Sequence, residues 1–120
     1  MIKNKTKGIV VAHNLVWLKE HTSQARGLMF RKLPKGTAYV FPFHWPRREL
    51  ISMLFVPMAL DLIFLDKNNM VVELKESLKP WKLYAAKKPA HMLLEVAEGT
   101  IARTKTTFGD VLSISSTEDI

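Results

Sequence analysis

Cysteine is absent from this 120-residue chain. Its absence excludes disulfides, thiolate nucleophiles, zinc–thiolate sites and iron–sulfur clusters, and is compatible with a reducing cytoplasm. Glycine is scarce, and its five copies are isolated, so no glycine-rich phosphate loop is present. No Gly-x-Ser-x-Gly elbow occurs, and Ser113, Ser115 and Ser116 fall in a terminal strand or tail. Long apolar runs are missing too. The longest, residues 51–65, is broken by Ser52, Pro57 and Asp61, short of the ~18–20 residues of a spanning helix. The five apolar residues at positions 8–12, behind a basic start, are too few for a secretory signal. A cytoplasmic location is the expectation.

Acids are scarce in one half. Residues 1–60 hold ten Lys or Arg against Glu20 and Glu49, whereas residues 61–120 nearly balance, for a net charge of +7. Such asymmetry suits an anionic ligand or nucleic acid, or else a merely solubilised surface, the preferred reading. With 48% hydrophobic and 24% charged residues, the chain has the balance of one globular domain spanning residues 1–120, with room for a single core.

The periodicities favour strands. Residues 8–12 are β-branched and read as the first strand, and residues 15–18 extend it or pair with it after His13-Asn14. Thr22 opens a helix candidate over about 22–31, with Ala25, Leu28 and Met29 on one face. Pro34 and Gly36 close that stretch. A strand over 37–43 leads into an irregular loop at 42–48. Further strands are expected at 50–56 and 60–65, separated by Pro57, then at 70–75 after an Asp66–Asn69 turn. Residues 77–88 read as a basic, aromatic-bearing loop, 91–96 and 110–114 as strands, and 99–105 as a turn or short helix. The fold class expected is α+β, mainly β: a barrel-like or sandwich-like sheet of about seven strands with one short helix.

Four segments, in this order, resemble the domain-of-unknown-function family number 192, also called UPF 0127. They are Ala25-Arg26-Gly27-Leu28-Met29-Phe30-Arg31, Leu60-Asp61-Leu62-Ile63-Phe64-Leu65-Asp66, residues 89–100 around His91-Met92-Leu93-Leu94-Glu95-Val96, and Phe108-Gly109-Asp110-Val111. The resemblance covers roughly residues 8–115 and implies a small β-rich domain of bacteria and archaea, in exported and cytoplasmic forms. It implies no known catalytic residue and no known cofactor. Many members carry Trp-Met-Lys-Asn-Thr before the Leu-Asp step; here Ser52-Met53-Leu54-Phe55-Val56 keeps only the methionine. The enzymatic reading suffers most from that departure.

Asp61 is an acid in an apolar run and must be paired or neutralised. Structurally, it accepts backbone amides at the start of a strand or pairs with Arg26, the preferred reading. Functionally, it is a ligand-facing acid or general base with Arg26 or His91. The histidines His13, His21, His44 and His91 lack ligand spacing, so no metal or cofactor is expected. Two segments interleave aromatic and basic residues: Phe41 to Arg48, with His44, Trp45, Arg47 and Arg48, and Pro80 to Lys88, with Trp81, Lys82 and Tyr84. Aromatic platforms beside cations suit stacking and phosphate neutralisation. The preferred reading is that Phe41, Phe43 and Trp45 fold inward to plug one end of the sheet structure, leaving the charges solvated. A non-catalytic binding or accessory domain using these loops leads, a nucleic-acid-binding module follows, and an enzyme centred on Asp61 comes last.

Overall fold

The computed structural model describes residues 1–19 and 32–115. The helix expected at 22–31, with Arg26 and Arg31, lies outside the described residues. Among them are ten strands, β1 (Ile2–Asn4), β2 (Ile9–Ala12), β3 (Asn14–Trp17), β4 (Thr37–Arg47), β5 (Leu50–Ser52), β6 (Leu60–Leu65), β7 (Val71–Leu78), β8 (Leu83–Ala85), β9 (Ala90–Ala97) and β10 (Leu112–Ile114), and one helix, α1 (Thr100–Thr104). No helix among the described residues is long and apolar enough to cross a membrane.

A five-stranded sheet in the order β3-β4-β9-β6-β7 forms the middle layer. β6 is buried along its whole length because both of its faces are covered, which is why it reads as an unbroken apolar run. Leu60, Leu62 and Phe64 enter one cluster with Ile51, Met53 and Ala86. Ile63 and Leu65 enter a second with Ile2, Val11, Ile101 and Leu112. The β5–β8 ribbon covers the first face, and the β10-β1-β2 sheet with α1 covers the second. The fold is mainly β, as its sequence suggests, but the sheets stack without closing into a barrel, and two cores replace the single one expected.

Several boundaries depart from the sequence reading. Ten strands replace about seven, because β1 and β8 are only three residues long, too short to show alternation, and β3 is separate from β2. β3 does not pair with β2; it lies parallel to β4, with Asn14 opposite Thr37 and Trp17 opposite Val40. The loop expected at 42–48 is strand as far as Arg47. Pro42 has no amide to donate, and the ladder with β9 lapses between Pro42 and Arg47. The strand expected at 50–56 stops at Ser52, since the Val56 amide turns back to the Met53 carbonyl at 3.1 Å. The loop expected at 77–88 holds the end of β7 and all of β8. The Asp66 turn is present, with Oδ1 accepting the amides of Asn68 at 2.8 Å and Met70 at 3.0 Å.

Candidate functional site

Asp61 is fully buried, and its surroundings explain how an acid occupies a core strand. β7 carries an extra residue opposite β6: Leu60 faces Leu78, but Leu62 faces Lys75. That bulge places Ser77 at φ 53° and turns its amide out of the ladder. Asp61 Oδ1 accepts it at 2.9 Å. Oδ2 accepts the amides of Gly99 at 3.1 Å and Ile101 at 2.9 Å. Gly99 opens α1 with no side chain to cap it, so a carboxylate from another strand serves the helix's free amides. Three charge-assisted hydrogen bonds occupy the carboxylate.

His91 does not join Asp61. Asp61 faces Val96 across the β6–β9 ladder, whereas Leu65 faces Met92, so His91 lies about five residues, roughly 17 Å, further along β9. Arg26 lies outside the described residues. Among those residues no cluster of three or more His, Asp or Glu side chains has metal-binding geometry.

The second aromatic–basic segment pairs with the residues that follow the first. β5 pairs antiparallel with β8, with Leu50 opposite Ala85, Ile51 opposite Tyr84 and Ser52 opposite Leu83. The Ala86 amide extends the ribbon to Glu49 at 2.9 Å, and the Trp81 amide to Met53 at 2.9 Å. Residues alternate across it. Ile51 enters the core with Tyr84 packed against it, while Leu50 and Leu83 point outward, 60% and 65% exposed. Trp81 is 62% exposed and meets Phe55 edge-on at 5.0 Å between ring centroids. Trp45, near the end of β4, is 57% exposed. Phe41 is buried and Phe43 half-buried, so the inward-folding reading holds for those rings and not for Trp45. His44 is exposed beside Trp45, with ring centroids 6.3 Å apart.

Arg47 lies over Phe43 at 4.3 Å and Trp45 at 5.9 Å and pairs with Glu49 at 2.8 Å. Arg48 and Lys82 are exposed. The Tyr84 hydroxyl donates to Glu73, and burial, then that carboxylate, pushes it up to about 12. Glu73 also accepts the amides of Lys87 and Lys88, each at 2.9 Å through Oε1.

Sequence reasoning passed over Glu95. It sits between Tyr39 of β4 and Leu62 of β6, 7% exposed. Burial pushes its carboxyl up to about 8. The available signal was alternation along β9, which puts Glu95 on the same face as the core residue Leu93.

Comparison with known proteins follows the same lines. The family model DUF192, described as "Uncharacterized ACR", matches residues 2–114. A UPF0127 protein of Pyrococcus furiosus is 34% identical over 91% of this chain and 93% of its own length. One from Pyrococcus horikoshii is 31% identical over 92% and 95%. Among solved structures, a protein of unknown function from Novosphingobium aromaticivorans superposes with TM-score 0.77 at 25% identity, over 83% of this chain and 74% of its own. A putative transcription regulator from Sinorhizobium meliloti shares the fold, with TM-score 0.78 at 22% identity over 82% and 79%.

Proposed function

The chain belongs to the DUF192 family, and from that premise we propose that it is a non-catalytic binding domain. Its docking surface is the end of β4 together with the outer face of the β5–β8 ribbon. One observation carries the reading: Trp45 near the end of β4 and Trp81 beside the ribbon stand 57% and 62% exposed. Burying a large apolar side chain is worth about 1.5–3 kcal/mol, and tryptophan is among the residues enriched where partners meet. The chemistry proposed for an enzyme has less support. Asp61 is fully buried and engaged by three amides, and His91 lies well away along β9.

Nucleic-acid binding through the same surface also has less support. Arg47 is already held over two rings and by Glu49, and Lys88 lies over Phe108 at 4.4 Å, so fewer cations face outward for phosphate. Single-stranded RNA and DNA titrated at low and moderate salt should give weak binding, and a tight, steeply salt-dependent affinity would favour the nucleic-acid module instead.

A photoreactive amino acid placed at Trp45 or Trp81 tests the binding reading in the cells that make the protein. Adducts should form at both positions and not at the exposed Ala102 of α1, which lies on the opposite layer. No adduct at either tryptophan, or equal yield at Ala102, overturns it.

A further inference from the structure

The outer face of the β5–β8 ribbon has a composition that narrows its partner. Antiparallel register puts Leu50 and Leu83 on one side of the ribbon, and Leu54, Phe55 and Trp81 follow at the end where Met53 bonds Trp81. All five are large, apolar and exposed. Arg48, Lys82 and Lys87 on the same segments are exposed, whereas Lys79 is paired with Glu98 at 3.1 Å and Lys88 lies over Phe108. Across residues 44–56 and 79–88 the sole acid is Glu49, which is engaged by Arg47 at 2.8 Å. The apolar end is also held in place at a conformational cost. Phe55 and Trp81 have φ of 60° and 68°, a left-handed backbone that bulky side chains rarely adopt. The Trp81 amide bond to Met53 and the edge-on ring contact hold the two rings together.

Building on the binding reading above, we propose that this face docks on an anionic lipid bilayer. Leu50, Leu54, Phe55, Trp81 and Leu83 enter the boundary between headgroups and acyl chains, and Arg48, Lys82 and Lys87 meet lipid phosphates. Two features select this occupant. Five apolar side chains fall far short of the roughly 20–30 residues a side that a stable protein interface recruits, whereas a few inserted apolar groups with basic neighbours suffice for an interfacial anchor. The charged side chains left exposed along the two ribbon segments, Arg48, Lys82 and Lys87, are cations, the complement of an anionic leaflet.

Sedimentation with vesicles tests the proposal, using phosphatidylcholine alone and phosphatidylcholine mixed with phosphatidylglycerol. The intact chain should sediment with the mixed vesicles, less so with the neutral ones, and less again as salt is raised. Trp81→Ser combined with Leu83→Ser should weaken binding roughly tenfold or more, given the apolar area withdrawn. Leu50→Ser alone should weaken it too, and Ala102→Ser should not. Thermal midpoints check that each variant is folded. Failure of the intact chain to sediment with mixed vesicles, or undiminished sedimentation of folded Leu50→Ser and of the folded double variant, overturns the lipid proposal. Protein adducts at Trp81 in the crosslinking experiment, with no vesicle binding, would overturn the bilayer as occupant and leave the binding reading standing; the absence of both would remove the two together.

Discussion

Asp61 caps the helix that Gly99 opens, although the two residues are far apart in sequence: its Oδ2 accepts the Gly99 amide at 3.1 Å and the Ile101 amide at 2.9 Å. Oδ1 takes the Ser77 amide of the β7 bulge at 2.9 Å. One carboxylate therefore joins two irregular points of the chain, the β7 bulge and the start of α1, which together leave three backbone donors without a ladder partner. Asp61→Ala leaves these amides without their acceptor, that of Ile101 in a buried position, and should cost about 2–3 kcal/mol, from the penalty for an unmet buried group. Asp61→Asn keeps one acceptor and should cost less. Urea unfolding measures both, and a loss below about 1 kcal/mol for the alanine variant would contradict the bracing role.

Glu95 gives the fold a pH dependence. Burial lifts its carboxyl from 4.5 to about 8, so the folded chain holds this proton more tightly than the unfolded chain. The resulting stability is complete below about pH 4.5 and is lost as pH rises through about 8. Glu95→Gln, which cannot ionise, should flatten the stability profile over that window and exceed the parent above its upper end. Parallel profiles for parent and variant would contradict this.

Asp110 works in the opposite direction. Burial raises its pKa, but hydrogen bonds from Lys7, Asn4 and Thr107 outweigh burial and hold the carboxyl at about 2, below the ordinary 3.8. Its contribution is present above pH 3.8 and lost as pH falls through about 2. Lys7 Nζ lies 2.8 Å from Oδ2 and Asn4 Nδ2 2.9 Å, tying β1 and the turn after it to the segment before β10. Asp110→Asn should lower stability at neutral pH and shrink the loss on acidification. Circular dichroism during acid titration follows both effects, and an unchanged acid midpoint would contradict the network.

Trp81 illustrates a trade between stability and docking. Its φ of 68° costs a bulky residue on the order of 1–3 kcal/mol, and its exposed ring recovers little of that by burial. Trp81→Gly removes the strain and adds backbone entropy to the unfolded chain. The thermal midpoint should change by no more than about the equivalent of 1 kcal/mol while partner binding falls. A large drop in midpoint would show the ring to be a structural element instead.

What the sequence made legible is what continuous local pattern can encode. β6 was readable because an apolar run ending in Asp66 and two asparagines is both a buried strand and a turn. Asp61 was conspicuous as an acid in that run, and one of its two structural alternatives, acceptance of backbone amides, matches its surroundings; its amide donors come from Ser77, Gly99 and Ile101, which no local pattern links to it. The parallel pairing of β3 with β4 is a tertiary outcome. β5 was legible as the start of a strand, but β8 has three residues, too few to show alternation, so its pairing with β5 could not be read. Glu95 was passed over because an acid in a strand is ordinarily solvent-facing, although alternation along β9 puts it on the face of Leu93.

The most direct measurement of the docking claim is hydroxyl-radical footprinting of Trp81 and Leu83 in the cells that make the protein, set against the purified chain. Both side chains are more than half exposed in the isolated fold, so both should label readily when purified and be protected in the cell, while the exposed Ala102 face labels alike in both. Equal labelling of Trp81 and Leu83 in the two settings would contradict the claim that this ribbon is an occupied surface.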